Sequence, residues 1–155
     1  MKIICAVDEN WGIGFRGDLL FHFQKDLKRF QDLTMGHNIV MGRKTQQSLP
    51  GGQPLTGRNN MVLSRKIDYA PEGFEMVHKI EELPKDCFVI GGGEVYELLL
   101  SESDEIYLTK VKAKKQADTF FPNIDTMPEW KIVDVSKEYE EDGIMFSFVK
   151  YVKES

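Results

Sequence analysis

The stretch CFVIGGGEVYELLL, residues 87–100, decides the fold class of this chain. Its apolar start predicts a buried strand over residues 87–90, three glycines follow, and residues 94–100 have the spacing of a helix. A strand that runs through a glycine turn directly into a helix is typical of α/β proteins with parallel strands. Such glycines let a backbone approach a pyrophosphate, although a plain tight turn uses the same residues and the G-x-G-x-x-G fingerprint is absent.

The alternation of strands and helices continues on the N-terminal side of this stretch. We predict strands over residues 2–7, 38–42, 60–64 and 74–78, helices over residues 23–35 and 44–49, and a long loop over residues 8–22. Gly36 is placed to end the first helix.

The C-terminal third has a different pattern. Residues 105–111, 130–137 and 144–152 are strand-like, and Glu141-Asp142-Gly143 predicts a turn between the last two. We therefore expect one α/β domain over residues 1–155. Its central sheet should be mixed and mostly parallel, flanked by helices on both faces, with a C-terminal antiparallel hairpin.

Composition narrows the class of protein. The chain has 155 residues, 41% hydrophobic residues and a net charge of −5, which indicates a globular protein and argues against a nucleic-acid partner. We expect no membrane span and no signal peptide. The two cysteines lie in apolar runs and give no metal spacing, so we expect buried thiols in the reducing cytoplasm.

Charge is distributed unevenly along the chain. Residues 1–66 contain ten Lys/Arg and five Asp/Glu, whereas residues 67–155 contain ten and twenty. We therefore expect the contacts of an anionic ligand to concentrate in the first half.

Asp26 is the most informative single residue. On a helical wheel it falls among Phe23, Leu27, Phe30 and Leu33, on a stripe that should face the core. An isolated carboxylate there is costly to desolvate, so it needs a partner or a use. Pairing with Arg29, together with the helix dipole, is one explanation, and ligand binding is the other.

Basic turns follow two predicted strands. Met41-Gly42-Arg43-Lys44-Thr45 leads into a helix start and Ser64-Arg65-Lys66 ends another strand. His78 ends a third strand, where it either contributes or is only a surface residue. A solvated turn explains each of them alone. Together with the glycine turn they favour a phosphate-bearing dinucleotide at the carboxyl ends of the strands, and NADP over NAD.

These segments, in this order and at these spacings, resemble dihydrofolate reductases of the bacterial type over residues 4–151. The motifs that carry the resemblance are Ala6-Val7-Asp8, Trp11-Gly12-Ile13-Gly14, Asp26-Leu27 with Phe30, Met41-Gly42-Arg43-Lys44-Thr45, Leu55 with Gly57-Arg58-Asn59, Ile90-Gly91-Gly92-Gly93 with Val95-Tyr96, Tyr107-Leu108-Thr109, and Asp118-Thr119 with Phe121-Pro122. The resemblance implies hydride transfer from NADPH to C6 of dihydrofolate, with N5 protonated through water, in one-carbon metabolism.

The resemblance also implies roles for the matched residues. Asp26 pairs with the amidine edge of the pterin, Thr109 supports that contact, and Arg58 holds the glutamate α-carboxylate. The residues implied to line the pterin and aminobenzoyl pocket are Cys5, Ala6, Leu27, Phe30 and Leu55. Those implied to bind NADPH are Ala6, Ile13, Gly14, Lys44, Thr45, Gly91, Gly92, Gly93, Glu94, Val95 and Tyr96, with Arg43, Ser64 and Arg65 around the adenosine and its 2′-phosphate. From its place at a strand end, His78 is a further candidate cofactor residue. A cis peptide bond at Gly91-Gly92 and a solvent-excluding lid over residues 9–20 are also implied.

Two positions depart from the family pattern. Leu20-Phe21 stands where members usually carry Pro-Trp, and we assign Phe21 to the catalytic region, where it fills space but has no N–H to order water. Glu94 stands where some members carry Arg, so the preference for NADPH rests mainly on Arg43 and Arg65.

Two other functions fit parts of the pattern. A related pyrimidine reductase of riboflavin synthesis would share the fold and cofactor site, but it should not need Asp26, Thr109 and Arg58 together. A non-catalytic dinucleotide-binding sensor would need neither an inward-facing Asp26 nor a lid. We expect a monomeric enzyme whose small-molecule partners are dihydrofolate, NADPH and antifolate inhibitors.

Overall fold

The computed structural model describes residues 1–154, in which helices are interspersed among short strands as far as the third helix. The strands are β1 (Lys2–Val7), β2 (Gly12–Phe15), β3 (Asp18–Leu19), β4 (Asn38–Gly42), β5 (Asn59–Leu63), β6 (Glu75–Val77), β7 (Phe88–Val89), β8 (Glu105–Val111), β9 (Thr119–Phe120), β10 (Trp130–Val135), β11 (Tyr139–Glu141) and β12 (Ile144–Lys153). The helices are α1 (Gln24–Thr34), α2 (Arg43–Ser48) and α3 (Gly93–Leu99).

The main sheet is mixed and mostly parallel, as predicted. Within residues 1–154, its parallel part has the order β8-β1-β7-β4-β5-β6. Strand β12 joins antiparallel to β8, and β10 and β11 pair antiparallel with β12. Because neighbouring parallel strands point the same way, their carboxyl ends lie along one edge of the sheet, where ligands of open α/β sheets bind.

Helices cover both faces of the sheet, which confirms that prediction. On one face, Val95 and Leu99 of α3 pack in the same apolar cluster as Val40 of β4. On the other, Leu33 of α1 packs with Ile39, the residue before Val40. The period-two alternation of strand side chains therefore decides which helix a residue meets. No helix in the described residues has the length and apolar character needed to cross a membrane.

The helix α1 has nearly the predicted bounds. It spans Gln24–Thr34, between flanking residues Phe23 and Met35, and Gly36 follows with a φ of 81°. A left-handed residue at this point is favourable for glycine, which explains why the helix ends there. Most other bounds differ from the prediction by about one residue, as is usual for element ends.

The long loop predicted over residues 8–22 is wrong in part, because β2 and β3 lie within it. These two strands and β9 form a separate antiparallel sheet. A Cβ on Gly14 would lie 3.0 Å from the carbonyl oxygen of Asp18, so the close approach of β2 and β3 depends on a glycine. The segment has no apolar alternation, and β9 is distant in sequence, so local pattern did not reveal the pairing.

The terminal hairpin is present, but its first strand differs from the prediction. The turn over residues 141–143 joins β11 to β12, whereas β10 pairs with the far half of β12 and places Trp130 opposite Lys153. Ser136 lies between β10 and β11, where its hydroxyl accepts from the backbone N–H of Phe148 at 2.8 Å. One predicted strand is therefore two short ones.

Candidate active site

The carboxyl ends of the parallel strands form one continuous edge, and the predicted ligand-binding turns lie along it. Gly42 ends β4, Ser64 follows β5, His78 follows β6, and the glycine turn follows β7. Thr109 lies near the same end of β8, in register with Ala6 of β1. The parallel register thus brings together turns that are far apart in the sequence.

Within the described residues, one short hydrogen bond holds the side chain of Asp26. The hydroxyl of Thr109, itself buried, donates to Oδ1 of Asp26 at 2.5 Å. Within residues 1–154 no hydrogen bond reaches Oδ2, which remains available to a ligand. Burial raises the pKa of Asp26, the Thr109 hydroxyl and the charge of Arg29 lower it, and the charge of Glu141 raises it.

Pairing with Arg29, the alternative explanation for Asp26, is wrong. The Arg29 guanidinium donates to the carbonyl oxygen of Leu108 at 3.5 Å and lies over the ring of Phe148, 4.4 Å from its centroid. Among the ion pairs within 4.0 Å in residues 1–154, none joins Arg29 to Asp26. The carboxylate is half-buried and, within residues 1–154, has no cation bonded to it, which favours the ligand-binding explanation.

We expected the apolar stripe around Asp26 to face the core along its whole length, but only its first part does so. Phe23 is buried at 5% exposure, whereas Leu27 is 57% exposed and Phe30 is half-buried. The stripe therefore leaves the core one turn into α1. An exposed leucine beside a half-buried carboxylate is typical of the wall of a ligand pocket.

The side chain of Cys5, which the resemblance assigns to the pterin pocket, packs on the opposite face of β1 from α1, and the assignment stays a prediction. Cys5 packs in the cluster on the α3 face, and burial raises the pKa of its thiol to about 12. The residues that alternate onto the α1 face of β1 are Ile4 and Ala6. Ile4 was missed, although the period-two pattern of β1 contained the signal; its carbonyl accepts from the buried Tyr96 hydroxyl at 2.7 Å.

The predicted aminobenzoyl and glutamate contacts lie near the end of α1. Arg58 donates from Nη1 to the Thr34 hydroxyl at 3.2 Å, and its Cζ lies 6.0 Å from the centroid of Phe30. Burial lowers the pKa of the Arg58 guanidinium. Leu55 is held by buried Asn60, whose side chain bonds its N–H and its carbonyl at 2.9 Å each. The structure thus brings these predicted substrate residues together on the α1 face.

Phe21 is buried in an aromatic cluster beside the start of α1. Its ring stacks on Phe23 with centroids 5.5 Å apart. Lys115, which the sequence did not single out, places Nζ 4.6 Å from the centroid of Phe21 and donates to the carbonyl oxygen of Leu20 at 2.8 Å. The catalytic assignment of Phe21 remains a prediction, while its packing role is clear.

The glycine turn lies against the start of α2. The N–H of Gly42 donates to the carbonyl oxygen of Gly91 at 2.8 Å, and the peptide bond from Gly91 to Gly92 is cis, as expected. A Cβ on Gly92 would lie 3.4 Å from Oγ1 of Thr45, and one on Gly42 would lie 2.9 Å from Cγ2 of Val95. The two turns therefore form one cradle that added side-chain atoms would fill.

The proposed lid reaches this cradle. The Cδ1 atom of Ile13 lies 3.9 Å from where a Cβ on Gly93 would stand. Asp118 holds the lid from the other side, because its backbone N–H donates to the carbonyl oxygen of Gly14 and its Oδ2 accepts from the N–H of Arg16, both at 3.0 Å. The Arg16 bond is the main cause that lowers the pKa of Asp118.

Three predicted cofactor cations, Arg43, Lys44 and Arg65, stand along the edge without a carboxylate within 4.0 Å in the described residues. Arg43 lies near the ring of Tyr69, 6.0 Å from its centroid. His78 places Nδ1 2.8 Å from the carbonyl oxygen of Ser64. Lys44 and Glu94 are exposed, whereas Tyr96 is buried. A backbone cradle beside unpaired cations fits a phosphate-bearing dinucleotide.

Comparisons with known proteins agree with this geometry. The family model described as dihydrofolate reductase matches residues 1–153. The chain is 34% identical to a dihydrofolate reductase of Staphylococcus aureus, covering 99% of this chain and 98% of that protein. It is also 34% identical to a dihydrofolate reductase of Bacillus subtilis (strain 168), covering 100% of this chain and 95% of that protein.

A solved structure shows the same likeness in three dimensions. It is the dihydrofolate reductase from Enterococcus faecalis complexed with NADP(H) and RAB-propyl, which matches with a TM-score of 0.89 and 31% sequence identity. The match covers 99% of this chain and 96% of that one.

Proposed function

This chain belongs to the dihydrofolate reductase family, and on that premise we propose that it catalyses the NADPH-dependent reduction of 7,8-dihydrofolate to 5,6,7,8-tetrahydrofolate. The observation that carries this proposal is the Asp26 carboxylate, held by Thr109 and left without a cation partner within 4.0 Å in residues 1–154. The product carries one-carbon units, so the reaction belongs to one-carbon metabolism.

Recognition of the pterin follows from the free oxygen of Asp26. A ring N–H and the neighbouring 2-amino group present two parallel donors, which match a carboxylate in bidentate geometry. Thr109 already donates to Oδ1 at 2.5 Å, so the carboxylate is oriented before the substrate arrives. The exposed Leu27 and the ring of Phe30 are placed to cover the apolar parts of the substrate.

The opposite end of the substrate carries a carboxylate. Arg58 lies beside Phe30, and within the described residues its guanidinium contacts a hydroxyl and a carbonyl but no carboxylate. An arginine oriented in this way can bind the glutamate α-carboxylate of dihydrofolate. A pyrimidine reductase of riboflavin synthesis, the first alternative function, should not need Asp26, Thr109 and Arg58 together. A dinucleotide-binding sensor, the second, needs no inward-facing Asp26.

We assign the cofactor to the edge formed by the glycine turn, the start of α2 and the ends of β5 and β6. NADPH, when bound there, supplies the hydride that reaches C6 of the pterin. The missing Cβ atoms at Gly42 and Gly92 let the glycine turn and the start of α2 pack closely, so that backbone lines this part of the edge. Arg43 and Arg65 supply the positive charge that favours a 2′-phosphate, and Ile13 of the lid excludes water.

Protonation of N5 is assigned to water. Asp26 binds the pyrimidine edge, which lies on the other ring from N5, so its role is to anchor and polarise the pterin. Burial raises the pKa of the Cys5 thiol and of the Tyr96 hydroxyl, so both stay neutral near pH 7 and neither supplies a charge there. Phe21 has no N–H with which to order that water.

We also propose that the chain acts as a monomer in the cytoplasm, as one domain over residues 1–155. Both cysteines, Cys5 and Cys87, are free and buried, which agrees with a reducing compartment. The net charge of −5 gives no support to a nucleic-acid partner. Antifolates that copy the amidine edge of the pterin should bind to Asp26.

The test is an assay of NADPH oxidation by the purified protein, followed by NADPH absorbance with and without dihydrofolate. Oxidation that requires dihydrofolate and that yields tetrahydrofolate in equal amount supports the proposal. No oxidation with dihydrofolate, or reduction of a riboflavin-pathway pyrimidine instead, refutes it. A run with NADH in place of NADPH measures the cofactor preference.

A further inference from the structure

Helix α1 begins without a cap of its own. Phe23 stands at the N-cap position, and its side chain cannot accept a hydrogen bond from the first turn. The missing acceptors come from Glu141, at the end of β11. Its Oε1 accepts from the N–H of Gln24 at 2.9 Å and its Oε2 accepts from the N–H of Lys25 at 3.0 Å. The C-terminal hairpin therefore completes the start of the helix.

These contacts lie directly beside the substrate-binding carboxylate. Asp26 follows Lys25 in the chain and is the third residue of α1. A shift of the first helical turn would move its carboxylate away from Thr109, to which it is bound at 2.5 Å. Glu141 thus acts on Asp26 through the backbone, while Thr109 acts on it through the side chain.

A cation, Arg29, lies near Asp26 and about one turn further along α1. Arg29 donates to the carbonyl oxygen of Leu108 at 3.5 Å and stacks on Phe148, and the ring of Tyr107 lies 5.7 Å from its Cζ. These contacts keep the guanidinium close to Asp26 without an ion pair. A charge held in this way stabilises the carboxylate and still leaves its oxygen free.

We propose that Glu141 and Arg29 are positioning residues for Asp26. Glu141 fixes the start of α1 from the C-terminal hairpin. Arg29 places its own positive charge beside the carboxylate without bonding to it. The inference rests on the proposed function, in which Asp26 binds the substrate, but the two sets of contacts exist without it.

The electrostatic effects of the two residues have opposite signs. Glu141 raises the pKa of Asp26, because a second negative charge disfavours ionisation, and Arg29 lowers it. The other groups near Asp26 are a hydroxyl from β8, a thiol from β1 and a phenol from α3: Thr109, Cys5 and Tyr96. Burial raises the pKa of that thiol and of that phenol, so near pH 7 they add no charge.

The first test measures the titration of the Asp26 carboxyl by carbon NMR in the substrate-free protein. The resonance is assigned by its loss in Asp26→Asn. We expect Glu141→Gln to lower the titration midpoint by about half a pH unit and Arg29→Gln to raise it by a similar amount. The matched control is Glu140→Gln, which removes the same charge from an exposed neighbour and should leave the midpoint unchanged.

The second test measures kinetics and stability together. We expect Glu141→Ala, which removes both acceptors, to lower kcat/KM for dihydrofolate about fivefold, with the KM for NADPH unchanged. Glu141→Gln keeps one acceptor and covers the case in which the alanine variant folds poorly. A simple cap would lower the melting temperature only.

The inference fails if the midpoints of Glu141→Gln and Arg29→Gln match that of Glu140→Gln, or if both move in the same direction. It also fails if Glu141→Ala loses stability while its kcat/KM for dihydrofolate stays within about twofold of the wild type. A wild type that does not reduce dihydrofolate refutes the proposed function instead, and the NMR midpoints, measured without substrate, still decide the electrostatic part.

Discussion

The substrate end and the cofactor end of the site are built in different ways. At the proposed substrate end each side chain assigned to recognition is already bonded to the protein: Asp26 to Thr109, and Arg58 to Thr34. At the cofactor end Arg43 and Arg65 have no carboxylate within 4.0 Å in the described residues. One end is ordered by hydrogen bonds, and the other offers charge and open backbone.

The difference follows from what each end has to recognise. An amidine edge is planar and needs a carboxylate at one orientation, so holding that carboxylate in advance improves both affinity and specificity. A phosphate is a compact anion that several cations can approach from different directions, and exposed cations are screened by salt. We therefore expect the binding of dihydrofolate to depend strongly on one residue, whereas several residues should share the binding of NADPH.

The largest effect should come from Asp26→Asn. Asparagine keeps the acceptor for Thr109 but loses the charge and the bidentate acceptor, so we expect kcat/KM for dihydrofolate near neutral pH to fall about 100-fold or more, ~3 kcal/mol of transition-state stabilisation. Steady-state assays at fixed NADPH check this. A loss smaller than about threefold would remove the role assigned to Asp26.

The cofactor end is tested by Arg43→Ala combined with Arg65→Ala. Because both cations are assigned to the 2′-phosphate, we expect the KM for NADPH to rise about 10- to 100-fold and that for NADH to change little. Lys66→Ala, an exposed neighbouring cation, is the control. An equal rise for NADPH and NADH would contradict the assignment.

The close packing of the glycine turn against β9 at the cofactor end is tested by Gly93→Ala. A Cβ there would lie 2.6 Å from Cγ2 of Thr119, so we expect the free energy of unfolding to fall by about 1–3 kcal/mol. Thr119→Ser removes that methyl group, and the double variant should recover most of the loss in urea unfolding. If the double variant is no more stable than Gly93→Ala, the contact is not the cause.

The smallest expected effect is on the stability of the fold, which the burial of the Asp26 carboxylate reduces. Burial raises the pKa of Asp26 above the ordinary value of 3.8, so the native state binds more protons than the unfolded state between those two values. Ionised Asp26 therefore reduces stability as pH rises through that window. We expect Asp26→Asn to be about 1 kcal/mol more stable near pH 7, a rise of roughly 2–4 °C in the melting temperature.

The pH dependence of this stability difference provides a control. The stability gained by Asp26→Asn should shrink as pH falls toward the ordinary pKa of the carboxyl, where the wild-type side chain is also neutral. Urea unfolding of both proteins across that pH range measures it. A variant that is less stable than the wild type near pH 7 would show that the carboxylate contributes stability to the fold.

Local patterns were sufficient for most of the fold. Strands β1, β4 and β8 were predicted with their bounds, because each is an apolar run between clear turn residues. The inward Asp26 and the edge carrying Arg43 and Ser64 could also be predicted, since helical spacing and parallel strand ends place them. The resemblance supplied the partners that spacing cannot, such as Thr109.

What could not be predicted depends on contacts between distant segments. Arg29 is the expected partner of Asp26 by spacing alone. Its guanidinium instead contacts Leu108 and Phe148, which lie on strands far along the chain. Glu141 caps a helix more than a hundred residues away for the same reason. The position of the Cys5 side chain on the α3 face is different, because the alternation along β1 is enough to predict it.

The most direct test of the two-ended site is a set of calorimetric titrations. Dihydrofolate and NADPH are each titrated into the wild type, Asp26→Asn and the Arg43→Ala/Arg65→Ala variant. We expect Asp26→Asn to weaken dihydrofolate binding by about tenfold or more and to leave NADPH binding unchanged, and the arginine variant to do the reverse. Dihydrofolate binding that is unaffected by Asp26→Asn, or an equal loss of both ligands in either variant, would contradict this expectation.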